Sequence, residues 1–186
     1  MNKQLVVVEL IGDLAFPLLG YFFWDWNFSF ILLFFLMDLI ARTGGVAFKL
    51  NQIKQYGLMT IFAFQLVLFF LLSGVILHLS YSETAIIEQI SLFWNHKDMG
   101  IAQGWLLLPL LPLSEYMRFQ NEKKMGITLE TSLKLMENLK SRRWIQIGIL
   151  GLLLGILTFV PLPEIVLLFA FLGLFLIPLL ARKLLN

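Results

Sequence analysis

Residues 58–78 read LMTIFAFQLVLFFLLSGVILH, a run without Asp, Glu, Lys or Arg in which Gln65 and Ser73 are the main interruptions. A helix needs about 20 residues to cross a hydrocarbon core of roughly 30 Å, and this run has that length. Five more stretches have similar character: 5–23, 27–48, 100–117, 144–159 and 164–180. The predicted fold is therefore all-α, a polytopic transmembrane bundle of about six spans forming one integral membrane domain over 1–186. The last two spans form a tight hairpin, because Pro161 and Pro163 cannot continue a helix without losing hydrogen bonds.

Composition agrees. The chain is 59% hydrophobic and 14% charged, with a mean hydropathy of +0.85; a soluble domain carries about 25% charged residues. A net charge of +2 gives no reason to expect a nucleic-acid partner. The absence of cysteine excludes disulfides, thiolate chemistry and iron–sulfur ligation by this chain. Glu9 and Asp13 interrupt the first apolar run and no small-residue cleavage site follows, so this run reads as a retained span and not a secretory signal.

Lys and Arg in short loops set orientation. Under six spans, Lys3, Arg42, Lys49, Lys54, the 118–143 loop and the 182–183 tail all face one side, and only Lys97 faces the other. The basic side is expected to be cytoplasmic, as are both termini, in a bacterial inner membrane. Trp24, Trp26, Trp94 and Trp105 then fall near the outer boundary, while Tyr56, Tyr116 and Trp144 mark the inner one. Two short interfacial helices are predicted near 82–94 and 128–140. In the first, Ile86, Ile90 and Phe93 share a face; in the second, Leu129, Leu133 and Met136 do. The second ends in Lys140, Arg142 and Arg143, which suit contact with anionic lipid or a partner protein.

Ionisable groups at membrane depth are costly, by about 2.5–3.5 kcal/mol or more, and usually face a bundle interior. Folding spans 1 and 2 about the turn at Trp24–Asn27 sets Asp13 level with Asp38, and Glu9 level with Arg42. Glu9 and Asp13 are four residues apart, as are Asp38 and Arg42, so each pair shares a helix face. Glu115 and Arg118 near the end of span 4 extend this polar cluster. Three acids with one Arg leave a negative excess, which a shared proton, a bound cation or Arg118 offsets. The cluster reads either as structural glue or as a proton or cation site. Gly148, Gly151 and Gly155 line one stripe of span 5, which allows close helix approach inside a bundle or between copies. There is no metal-ligand spacing, catalytic triad, phosphate loop or haem ligand pair, so no cofactor, metal or catalytic residue is expected.

Residues 13–50 carry Pro17-Leu18-Leu19-Gly20, then Trp26 in a turn, then the central acid Asp38. This stretch resembles a family of uncharacterised bacterial multi-pass membrane proteins, in which a Pro-Leu-Leu-Gly run leads to a Trp-containing turn and a span with a central acid. That family follows its acid with Asn, whereas Leu39 stands here. The resemblance implies a multi-pass membrane fold and no activity. Two functions are consistent with the sequence. One is a non-catalytic integral membrane subunit or scaffold of an inner-membrane complex, associating with other membrane subunits or with itself within the lipid bilayer. The other is a small proton- or cation-coupled transporter or channel using the acidic pair.

Overall fold

The computed structural model describes residues 18–23, 26–81, 83–95, 97–98, 101–102, 109, 112–113, 115–117, 120 and 129–173. For 83–86, 89, 92, 97–98, 101–102 and 129–132 it describes the backbone alone. Residues 18–23 are helical. The helices that follow are α1 (Phe28–Gln52), α2 (Tyr56–Ser80), α3 (Glu83–Asn95), α4 (Leu129–Leu157) and α5 (Glu164–Gly173). A two-residue antiparallel ladder pairs β1 (Lys97–Asp98) with β2 (Ile101–Ala102). Apart from that ladder, the described regular structure is helical.

α1 starts where Asn27 accepts a hydrogen bond from the Phe30 N–H at 2.8 Å, satisfying one of the donors that every helix start leaves over. It runs without interruption through Asp38, Arg42 and residues 43–48. Its end is closed by Gln55 N–H donating to Leu50 and Lys54 N–H to Asn51, with Lys54 in the left-handed region at φ 56°. This is the Schellman arrangement, and it turns the chain within three residues into α2. Both helices have 25 residues, about 37 Å of rise. They are the two described helices long and apolar enough to cross a membrane.

α1 and α2 are antiparallel, because Phe35 meets Phe69 while Leu50, farther along α1, meets Phe62, earlier in α2. α4 packs antiparallel to α2: Gln65 reaches Lys140, and Phe62 lies beneath Arg143. The main core joins α1, α2, α4 and α5, with Phe171 of α5 meeting Phe28 and Phe35 edge-on at 5.9 and 5.1 Å. α4 and α5 are joined by non-helical residues 158–163, the expected proline turn. Large apolar side chains face outward on α2 (Phe64, Val67, Leu71), α4 (Leu152, Ile156) and α5 (Phe169).

Several expectations change. The short interfacial helix at 128–140 and the span beginning at 144 are one helix of 29 residues, about 43 Å long. Nothing between Leu129 and Leu157 breaks it, since its glycines lie late and it has no proline. Residues 101–102, assigned to a span over 100–117, are strand; two residues ending in Gly100 separate Asp98 from Ile101, a length and composition that favour a hairpin. In α3, Phe93 is buried against Phe30 at 4.8 Å, while Ile90 on the same expected face is exposed. Among the described residues nothing lies within 4 Å of a Cβ built on Gly148, Gly151 or Gly155, so the small-residue stripe makes no close contact with the described helices. Residues 5–17 of the first span, most of 100–117 and residues 174–180 of the last lie outside the described residues.

Candidate functional site: a polar layer among three helices

The antiparallel packing brings Arg42 of α1, Phe62 of α2 and Arg143 of α4 to one level. Asp38 and Arg42 form an intrahelical ion pair, with Arg42 Nε 2.7 Å from Asp38 Oδ2. Both side chains are largely covered, 19% exposed for Asp38 and 24% for Arg42. The four-residue spacing puts them on one face, as i,i+4 geometry requires. Thr43 beside them is buried and returns its hydroxyl to the Leu39 carbonyl at 2.6 Å.

Glu115 approaches from the chain segment after β2. A Cβ built on Gly45 would lie 3.0 Å from Glu115 Oε2, so glycine at 45 is what lets the carboxylate close on α1. Gly45 is three residues beyond Arg42, on the same face.

Arg143 completes the layer. The sequence placed it with Lys140 and Arg142 in contact with anionic lipid or a partner protein. In the structure it is 2% exposed, with its guanidinium carbon 4.9 Å from the centroid of Phe62. The reason is the continuity of α4: with no break near 140, Arg143 follows the helix face that packs on α2. The ring supports the flat guanidinium through cation–π attraction. The group also lies in the electrostatic field of Arg42, Asp38 and Glu115. Lys140 contributes its backbone carbonyl, which accepts from Gln65 Nε2 at 3.0 Å, and Arg142 is half-buried. Gln65 itself is fully buried, so a residue that the sequence showed merely as an interruption of an apolar run is an interhelical link.

Glu9, Asp13 and Arg118 lie outside the described residues. The described part of the cluster thus has two carboxylates and two guanidiniums, and one of the latter comes from a helix that the sequence did not assign to it. No group of three His, Asp or Glu residues with metal-ligand geometry occurs among the described residues.

A second polar junction lies at the opposite end of the bundle. Glu164 Oε1 accepts from the Phe28 N–H at the start of α1 and from the Tyr81 hydroxyl at 3.3 Å. The carboxylate thus stands at the N-termini of both α1 and α5, where helix dipoles favour negative charge. Burial pushes the Tyr81 hydroxyl above its ordinary value of 10.0, partly opposed by Ser29. No local pattern pairs Glu164 with Phe28, 136 residues away.

The chain matches no protein-family model, no curated protein and no solved structure.

Proposed function

We propose that the chain is a non-catalytic, multi-pass integral membrane subunit or scaffold of an inner-membrane complex, with about six spans and both termini cytoplasmic. The observation that carries this reading is the ion pair of Asp38 with Arg42 at 2.7 Å. A carboxylate that carries protons or cations through a membrane must be able to give up its counter-charge. Here the acid is held by a guanidinium of its own helix, with a second guanidinium, Arg143, in the same field. An acid at depth that is already paired within its own helix is satisfied without a transported ion. The outward apolar faces of α2, α4 and α5 suit lipid or neighbouring membrane subunits. The basic 118–143 segment supplies the charge asymmetry that orients short loops towards the cytoplasm.

Two measurements test the reading. The purified chain in sealed vesicles should show no proton-, sodium- or potassium-driven uptake above empty vesicles. At native expression in mild detergent it should migrate as an assembly larger than itself, with partners in fixed ratio. Cation flux that disappears in Asp38→Asn would replace the scaffold with the transporter.

A further inference from the structure

Arg143 is the least economical residue in the layer. Its guanidinium is buried, and among the described residues no acceptor meets Nη1 or Nη2. Arg42 stands close enough to repel it. Of the layer's carboxylates, Asp38 pairs with Arg42, and Glu115 lies close against Gly45 of α1. One helical turn away on α2, Gln65 Oε1 is also buried without a donor, its amide being spent on Lys140. Leaving a buried donor unmet is costly, and more so where the group is charged. A fold that places two such donors on one guanidinium, with a flat ring beneath to fix its plane, has prepared a place for an acceptor.

We propose that Arg143, together with Arg42, binds a small monovalent anion of the halide or nitrate class in the layer between α1, α2 and α4. The described layer sets two carboxylates against two guanidiniums, so what favours an anion is the pair of unmet donors, Nη1 and Nη2, on the buried Arg143. Phe62 closes one side of the guanidinium, so the ligand approaches in its plane, where Nη1 and Nη2 point. The layer is mostly apolar around these groups, with Leu39, Leu50 and Phe62 all buried. Desolvation therefore selects against multiply charged oxoanions, whose dehydration is far more costly than that of a halide. Such an anion relieves the repulsion between the two arginines and leaves the Asp38–Arg42 pair intact. The inference is independent of the scaffold role: cation flux would end that role without touching this site.

The test is anion-specific stabilisation of the full chain in detergent. At fixed ionic strength, replacing gluconate by chloride, bromide or nitrate should raise the thermal midpoint saturably, by about 5–10 °C at concentrations ~100-fold above Kd. Arg143→Gln should abolish the difference between anions, while Arg143→Lys keeps part of it. Should Arg143→Gln fail to fold, chloride-35 line broadening by the wild-type chain, reversed by bromide or nitrate, reads the same site without a variant. A wild-type midpoint indifferent to the anion, or no competable line broadening, overturns the site. So does an anion response that survives in a folded Arg143→Gln. Indifference to anions combined with destabilisation by Glu9→Gln or Asp13→Asn assigns the acceptor to the chain's own N-terminal carboxylates instead.

Discussion

Gln65 of α2 donates its side-chain amide to the backbone carbonyl of Lys140 in α4 at 3.0 Å, across 75 residues of sequence. A carbonyl has two lone pairs, so the Lys140 oxygen accepts from Gln65 without giving up its place in the helix ladder. The bond fixes the axial register of α4 on α2 and so decides that Phe62 lies under Arg143. Gln65→Leu, close in volume, should lower stability by about 0.5–1.5 kcal/mol. The check is denaturation in mixed micelles. An unchanged midpoint would show that apolar packing alone sets the register.

Gly20 and Trp26 are packed closely against each other. The Trp26 N–H donates to the Gly20 carbonyl at 3.0 Å, and a Cβ on Gly20 would lie 2.1 Å from the indole. Gly20→Ala must therefore displace the buried ring, at about 1–3 kcal/mol for an overpacked site. Trp26→Leu made in the same chain should recover most of that loss. If Gly20→Ala is neutral, or the second change recovers nothing, the indole is not what glycine accommodates.

How much of this was legible beforehand depended on whether the signal was local. The helical character of 27–48 and 58–78 and the proline turn near 161–163 are written in short windows, and the structure has helices and a turn there. So is the shared face of Asp38 and Arg42, a matter of spacing. The span boundaries were less legible, because nothing in residues 129–157 tells one long helix from a surface helix followed by a span. Arg143 was misplaced for a related reason. A basic cluster beside an apolar run looks like a lipid-facing end, and its burial depends on α2 packing against it. Gln65 to Lys140 and Glu164 to Phe28 join residues far apart in sequence, which no window reading pairs.

Glu164 should matter more than its exposed position suggests. It satisfies the Phe28 N–H at the start of α1, and loss of a helix cap costs about 0.5–2 kcal/mol. Glu164→Ala should show that loss, and Glu164→Gln, which retains an acceptor oxygen, should show less of it. The Tyr81 hydroxyl beside it is raised by burial above its unfolded value. The fold therefore holds that proton more tightly than the unfolded chain does. Its contribution is fully present below about pH 10 and is lost as pH rises through the folded value. Thermal midpoints from pH 9 upward should fall less steeply in Tyr81→Phe than in the wild type; equal slopes would remove Tyr81 from the pH response.

The Asp38–Arg42 pair gives a sharper test of the layer. Removing one member leaves the other partly buried without its partner. A fully buried pair loses about 3–5 kcal/mol in that case, and the residual exposure here brings the expectation for Arg42→Ala down to about 1–3 kcal/mol. Asp38→Asn in the same chain should restore part of it, with a coupling energy on the order of 1 kcal/mol in a double-mutant cycle. Additive effects would mean that the two side chains, though 2.7 Å apart, contribute separately.

The last expectation concerns the direction in which the proposed spans cross the bilayer. Thirteen of fourteen Lys and Arg residues fall on one side of a six-span arrangement, and Lys97 alone falls on the other. The chain has no cysteine, so single cysteines report position without a background. Cysteine introduced at Lys97 should react with a membrane-impermeant maleimide added to intact cells. Cysteine at Lys124 should react only after the membrane is opened, as should one at Lys3. The three positions separate the possibilities: 97 and 124 lie on either side of the fourth predicted span, and 3 precedes the first. Labelling of 97 and 124 from the same side would remove the span between them. Labelling of 3 from outside would invert or shorten the N-terminal half, and with it the depth relation that sets Glu9 level with Arg42.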